Sequence, residues 1–332
     1  MHNRSLSGIF ILFISFYFAL LVGLGLYGYG MDYYGAYIKG LEWNIARVNV
    51  LTYLGFKVVT LTIFETHVGV YITTFILSLS TGFLIRQQMR YKKSYSLIVF
   101  LFLFLIAIHT WPIIMSTSNA MRQGLAMSFI FLALTSISQK NYNWSIFFYL
   151  ICVLMHKSGA ILVISSVFGF ISYKIFIALS FRGKAIGNFI LGTLLFSVIY
   201  YFLKVFIVIN QSSRIIGVDF SHAFVFIAIV YLSLFFFYKS ILTNQFNLCL
   251  YYFSFAALPV YIFDLNWQYE RLGMIMIIPY IFSFGNIINK SSYNLYLILA
   301  FLSLFFLNFY TGMYSDGLFY PWDPFIQPVL NP

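Results

Sequence analysis

Hydrophobic residues occur along this chain in long runs, which short polar segments separate. Most runs are about 17 to 25 residues long, and a helix of that length crosses the roughly 30 Å of a bilayer's hydrocarbon core. The pattern therefore predicts an all-α, polytopic transmembrane helix bundle of about 11 spans (10–12), built as a single integral membrane domain over residues 1–332. The predicted spans lie near residues 6–27, 68–85, 96–108, 122–139, twice within 145–171, and near 185–208, 221–238, 247–263, 272–288 and 295–313.

The composition agrees with this class and excludes others. Hydrophobic residues make up 62% of the 332 residues, charged residues only 8%, and the mean hydropathy is +0.91, whereas soluble domains are about a quarter charged. The net charge of +11 comes from Lys and Arg residues spread singly between apolar runs, which argues against nucleic-acid binding. Cys152 and Cys249 fall inside predicted spans and are interpreted as small packing residues. The run Leu6–Tyr27 lacks the cleavage site of a signal peptide, so we interpret it as the first span.

Basic residues orient the predicted spans. The segment Arg86–Lys93 is predicted to be the most basic loop of the chain, so the positive-inside rule places it in the cytoplasm. Span three is predicted to end at Trp111-Pro112. The stretch Ser145–Ile171 is either one long span or a hairpin that turns at His156–Gly159, and the two interpretations reverse the topology after it. The hairpin is favoured because it keeps most later basic residues inside. Those residues are Lys174, Arg182, Lys184, Lys239 and Lys290.

With the hairpin, every carboxylate of the chain lies on the external side. One explanation is that acids simply avoid the negatively charged inner surface of the membrane. The functional explanation is that carboxylates and cations meet a polar substrate on the external face. The acids are Asp32, Glu42, Glu65, Asp219, Asp264, Glu270, Asp316 and Asp323.

Two polar pairs interrupt the apolar pattern. Arg122 and Gln123 open span four, where unpaired backbone N–H groups and the helix dipole favour an anion such as phosphate; the alternative is an Arg that snorkels to lipid headgroups. His156 and Lys157 lie at the predicted outer turn of the hairpin. A lone His is more often a hydrogen-bonded packing residue, but its pKa near neutrality also suits it to act as a base.

Two external segments add charge and aromatic rings. Asp264, Glu270 and Arg271 fall in one predicted loop that opens a later span, and the alternative is a local ion pair worth under about 1 kcal/mol if exposed. Two Arg-bearing helix starts on one face favour a doubly charged ligand. The segment Tyr29–Tyr37 combines Gly, Asp32 and tyrosines, a mixture suited to sugar stacking and hydroxyl recognition.

Common motifs of metal and nucleotide chemistry are absent from the sequence. It has no HExxH, CxxC pair, Walker loop, GxSxG or paired His/Asp metal spacing. This argues against an ATPase, a metalloprotease or a zinc enzyme. We therefore expect no metal and no cofactor.

On its short motifs the chain resembles the EpsG/Wzy group of bacterial polysaccharide polymerases, which are relatives of the O-antigen ligases. That group has Gly-x-Asp followed by Tyr after span one, Arg-Gln-x-x-Ala at a span start, and His-x-Ser-Ala. The residues here that resemble these motifs are Gly30, Asp32 and Tyr37; Arg122, Gln123 and Ala126; and His156, Ser158 and Ala160.

Two further positions bear on the resemblance. Arg271, in Tyr269-Glu-Arg271, is similar to a late arginine of the group, so the resemblance covers most of the chain in order. One departure is that the group often has a Glu before the Gly-aromatic pair that follows the first loop. The segment Leu54-Gly55-Phe56 lacks it, so no role of that Glu is transferred.

The resemblance implies a GT-C-like architecture and a metal-independent glycosyl transfer on the outer face of the bacterial plasma (inner) membrane. An undecaprenyl-diphosphate-linked oligosaccharide would pass to the non-reducing end of another lipid-linked repeat unit. The implied partners are this donor and acceptor, membrane lipids and a chain-length regulator protein, with no nucleic acid. Arg122 and Arg271 would hold the diphosphate, and His156, ranked first, or Asp32 or Glu270 would be the base. Further expected substrate contacts are Gln123, Lys157, Arg214, Tyr37 and Tyr269.

Three other functions use similar features. An O-antigen ligase-like transferase needs much the same residues, although ligases usually have a longer late external loop. A flippase or exporter of lipid-linked oligosaccharide needs a cationic cavity through the membrane, which the predicted spans lack. A membrane acyltransferase also uses a histidine, but Arg-bearing helix starts fit a diphosphate better than acyl chemistry.

Overall fold

The computed structural model describes residues 2–25, 29–30, 53–61, 63, 67–118, 120–156, 158–209, 217–218, 242, 245–264, 267–310 and 319–320. Within these ranges the chain is almost wholly helical, with four strands of two residues each. The helices are α1 (His2–Gly23), α2 (Tyr53–Val59), α3 (Val68–Tyr91), α4 (Leu97–Ile108), α5 (Trp111–Ser118), α6 (Met121–Ser138), α7 (Tyr142–Met155), α8 (Gly159–Ile175), α9 (Phe181–Ile209), α10 (Gln245–Ile262), α11 (Trp267–Gly285) and α12 (Lys290–Tyr310).

The strands form two short antiparallel pairs. β1 (Tyr29–Gly30) pairs with β4 (Phe319–Tyr320), with Tyr29 opposite Tyr320. β2 (Gly217–Val218) pairs with β3 (Phe263–Asp264), with Gly217 opposite Asp264. Each pair therefore joins segments that are distant in the sequence.

The prediction of a helical membrane protein is confirmed. In the described part of the chain, four helices are long and apolar enough to span a bilayer, or five if α4 and α5 count as one span bent by 57°. Large apolar side chains on these helices are exposed, among them Phe13 at 69%, Ile98 at 80% and Phe202 at 67%. Such surface is expected to face lipid. The count of eleven spans, the single domain and the GT-C-like architecture stay predictions, and span 221–238 lies outside the described residues.

Three local expectations were wrong. The basic segment Arg86–Lys93 is not a loop throughout, because α3 continues to Tyr91, and Arg, Gln and Met are good helix formers. Trp111-Pro112 does not end a helical region but begins α5, since proline fits the first turn, where its missing N–H is not needed. Glu270 and Arg271 lie in α11, which begins at Trp267, rather than in a loop.

The chain divides into two compact units. The first comprises Met1–Leu132, Phe147–Gly159 and Leu297–Pro332, and the second comprises Ala133–Ile146 and Ala160–Tyr296.

In the first unit α1 packs against α3 through small residues. Gly82 faces the Ile11 side chain, and Gly23 lies against the Tyr71 ring. Toward the other end of α3, Arg86 donates a hydrogen bond of 3.4 Å to the Ser7 hydroxyl. These contacts pair early residues of α1 with late residues of α3, so the two helices run antiparallel.

In the second unit α10 packs between α9 and α11. The Asn188 amide oxygen accepts hydrogen bonds from the Ser172 hydroxyl and, at 3.0 Å, from the Tyr252 hydroxyl. A side chain at Gly169 would overlap the backbone of Cys249. The second unit is thus held by a satisfied buried polar cluster and by a close approach of two helices.

The sequence predicted the helix break within 145–171 at the correct residues. α7 ends at Met155 and α8 begins at Gly159, so the apolar stretch is two helices. The side of the membrane on which the break lies stays a prediction. Cys152 and Cys249 are free and fully buried, which confirms their role as packing residues.

Gly169→Ala is expected to destabilise the protein by about 1–3 kcal/mol, because the added methyl group pushes α8 away from the α10 backbone. Thermal unfolding of the detergent-purified protein measures the effect. Gly8→Ala is the control, since its new methyl group would make only an ordinary 3.5 Å contact with Arg86. Equal melting temperatures for the two variants would contradict the close approach.

Candidate functional site

The register of α6 against α7 determines where the polar residues of the first unit meet. The Phe129 and Phe148 rings stack with centroids 6.3 Å apart, and the Cys152 thiol donates a hydrogen bond of 3.2 Å to the Ala126 carbonyl. The second contact lies one turn earlier in α6 than the first and one turn later in α7. The two helices are therefore antiparallel. One further turn reaches the start of α6 and the end of α7 together.

Arg122 and Gln123 lie in the first turn of α6, as predicted. This turn carries no acidic residue, although the positive end of a helix dipole favours a negative charge. Arg122 is half-buried, its guanidinium carbon lies 5.9 Å from the centre of the Phe56 ring, and its Nε has no hydrogen-bond partner among the described residues. A cation at this end of the helix is therefore suited to an anionic ligand.

Gln123 is an unusual buried amide. Its side chain is only 7% exposed, and its Oε1 atom accepts no hydrogen bond from the described residues. Leaving a buried acceptor unsatisfied costs about 1–3 kcal/mol. A donor group on a bound ligand is one partner that would satisfy this atom.

His156 follows the last residue of α7, and Ser158 holds its ring. The Ser158 backbone N–H donates to His156 Nδ1 at 3.2 Å, and the Ser158 hydroxyl lies 2.6 Å from the same atom. Because a backbone N–H can only donate, Nδ1 is an acceptor, and the neutral ring carries its proton on Nε2. Ser158 thus fixes the orientation of the His156 ring, and the role of His156 as the base stays a prediction.

The short helix α2 touches both of these segments. A side chain at Gly55 would overlap the carbonyl oxygen of Met155, the residue before His156. The next residue, Phe56, lies under the Arg122 guanidinium. Consecutive residues of α2 therefore contact the end of α7 and the start of α6.

Gly30, the described residue of the Gly-x-Asp motif, also lies in the first unit. β1, which contains Gly30, lies against α5, and α5 packs closely on α6, since a side chain at Gly124 would overlap the Ser116 carbonyl. Gly30, Arg122, Gln123, Ala126, His156 and Ser158 are therefore on neighbouring elements of the first unit, whereas Ala160 is counted in the second unit. Asp32 and Tyr37 lie outside the described residues.

The remaining predicted site residues are not in this cluster of described contacts. Tyr269, Glu270 and Arg271 lie in the first part of α11, in the second unit, and that they share a ligand with Arg122 stays a prediction. Lys157 and Arg214 lie outside the described residues. In the described part of the chain, no three His, Cys, Asp or Glu side chains are grouped to hold a metal ion.

Sequence reasoning missed Gly55 and Phe56 as site residues. The sequence drew attention to this Gly-aromatic pair only because the Glu that often precedes it in the EpsG/Wzy group is missing here. The feature that could have identified the pair is the glycine inside a helix. Because glycine there costs about 1 kcal/mol relative to alanine, its presence indicates a close approach of another backbone.

Nearly the whole chain matches one protein family. The model of the EpsG family matches residues 6–325. The chain belongs to the EpsG family. No curated protein and no solved structure matches it.

Membership in the EpsG family covers both units and all three motifs. It supports a polysaccharide polymerase-type function in general and, with the apolar helices, a membrane location. The EpsG family assignment therefore confirms the resemblance that the motifs indicated. Individual residue roles stay proposals.

Gln123→Leu is expected to leave the melting temperature unchanged or raised while polysaccharide synthesis falls. The substitution removes a buried acceptor that has no described partner, so it costs no hydrogen bond within the described residues, but it removes the atom available to a ligand. Thermal unfolding and glycan analysis of complemented cells measure the two effects. Gln139→Leu, at an exposed residue just after the end of α6, is the control that should change neither. A loss of stability at position 123 with normal synthesis would contradict a ligand role.

Proposed function

We propose that this EpsG-family protein is a glycan repeat-unit polymerase. It transfers an undecaprenyl-diphosphate-linked oligosaccharide onto the non-reducing end of another lipid-linked repeat unit, on the outer face of the plasma membrane. The bond between the donor's anomeric carbon and the diphosphate oxygen breaks, and a bond from that carbon to the acceptor hydroxyl oxygen forms. The diphosphate leaves with the electron pair, and the hydroxyl proton passes to a base.

One observation supports this proposal above the others. The antiparallel α6–α7 pair brings Arg122, the buried Gln123 oxygen and the oriented His156 to one end of the same two helices. A guanidinium supplies several charge-assisted donors to diphosphate oxygens, and the acid-free first turn of α6 adds the helix dipole. An unsatisfied amide oxygen suits a sugar hydroxyl or amide donor.

In this proposal Arg122 stabilises the charge that develops on the leaving diphosphate. A preorganised donor of this kind typically contributes about 10²- to 10³-fold in rate. The proton of the acceptor hydroxyl passes to a base, for which His156 is the first candidate and Asp32 and Glu270 are the other two. Arg271, Lys157 and Arg214 are further candidates for diphosphate contacts.

Arg122→Ala, His156→Ala and Arg271→Ala are each expected to shorten the glycan in a complemented deletion strain. Loss of Arg122 should lower polymerisation by about 10²- to 10³-fold, because the leaving group loses its charged donor. Gel separation of cellular glycan measures chain length, and single repeat units on the carrier are the expected product. Arg182→Ala, which removes an exposed cation of α9, should leave long chains.

The same strains separate polymerisation from export. If the deletion abolished surface glycan entirely and trapped lipid-linked units inside the cell, the protein would be a flippase. If long chains were still made but stayed on the lipid carrier without being attached to their final acceptor, it would be an O-antigen ligase-like transferase. Either result would replace the proposal.

The proposed external site makes a topological prediction. A reporter that requires the periplasm, fused after Asp264, should be active, because the hairpin interpretation places that residue outside. A fusion after Lys140 should be inactive, since the end of span four is then cytoplasmic. The reverse pattern would place Asp264, Glu270 and Arg271 on the wrong face for the proposed reaction.

A further inference from the structure

We propose that α2 is a positioning element of this site, in which the Phe56 ring orients the Arg122 guanidinium and Gly55 fixes the distance between that ring and the end of α7. The proposal rests on the polymerase function for its kinetic test only. Neither residue is expected to touch the reacting atoms.

Both ends of α2 are fixed by approaches that only glycine permits. At its start, a Cβ at Gly55 would overlap the Met155 carbonyl oxygen. Just beyond its end, Gly69 of α3 donates a backbone hydrogen bond of 3.0 Å to the Leu61 carbonyl, and a Cβ there would overlap the Val59 carbonyl. Backbone cannot yield as a flexible side chain can, so α2 has one position between α3 and α7.

That position places the Phe56 ring under the Arg122 guanidinium, 5.9 Å from centroid to carbon. A ring attracts the cation through its quadrupole and leaves the N–H groups at the guanidinium edge available. A carboxylate in the same place would take those donors and neutralise the charge. Phe56 therefore restricts the orientation of Arg122 while preserving its capacity to bind an anion.

Phe56→Leu is expected to lower kcat/KM for polymerisation by about 3- to 30-fold, the range expected for one cation–π contact. Phe56→Tyr and Phe56→Trp keep a ring and should retain near-normal values. Gly55→Ala keeps the ring but displaces α2, so it should lower kcat/KM as well. The assay uses the purified protein in liposomes, with lipid-linked repeat units extracted from its own deletion strain.

The chain offers a matched control. Phe83 lies under Arg86 at 5.3 Å, in the same unit and also half-buried. Phe83→Leu removes the same kind of contact from a guanidinium that has no proposed role in the reaction. Equal losses in Phe56→Leu and Phe83→Leu would assign both to general packing and overturn the proposal. Phe56→Met fills a similar volume without a ring and replaces Phe56→Leu if that variant does not fold.

A second measurement does not depend on polymerase activity. Phenylglyoxal modifies guanidinium groups, and peptide mass spectrometry reports the rate at each arginine. Phe56→Leu should speed modification of Arg122 and leave Arg86 unchanged, whereas Phe83→Leu should do the opposite. An unchanged Arg122 rate in Phe56→Leu overturns the positioning role. A wild-type protein that lengthens no glycan but shows these labelling changes overturns the polymerase function and leaves the positioning role standing.

Discussion

The register between α6 and α7 is the constraint on which the site in the first unit depends. Two contacts, the stacked Phe129 and Phe148 rings and the Cys152 thiol on the Ala126 carbonyl, fix it. Sliding one helix by a turn would move its end about 5.4 Å, which exceeds the length of any hydrogen bond. The position of Arg122 relative to His156 is therefore decided deep in the apolar pair and not by the polar residues themselves.

Apolar packing of this kind is well suited to a membrane. Inside a bilayer the hydrophobic effect gives helices little reason to associate, so close van der Waals packing and small residues carry the association. The first unit uses Gly82 and Gly23 between α1 and α3, and the second uses Gly169 between α8 and α10. In the second unit a buried polar cluster adds to this packing, since Asn188 accepts hydrogen bonds from Ser172 and Tyr252.

Much of the fold was predictable, because long apolar runs determine helices almost regardless of context. The break after Met155 was also predictable, since His156, Lys157 and Ser158 interrupt such a run. The helical ends around Arg86 and Trp111 were not, because basic residues and Pro are compatible with both a helix terminus and a loop. For the site, the sequence located Arg122 and His156 by charge. It missed Phe56 because an aromatic residue that supports a cation 66 positions away looks like any other apolar residue. It could not orient the His156 ring, because the hydrogen bonds between Nδ1 and Ser158 depend on the local backbone.

The way α2 is anchored has a consequence for how this protein can evolve. Its position comes from contacts at Gly55 and Gly69. A substitution at either glycine would shift the Phe56 ring relative to Arg122, although neither glycine carries a charge or touches a substrate. Selection for the site would therefore act on these two glycines as strictly as on the arginine itself.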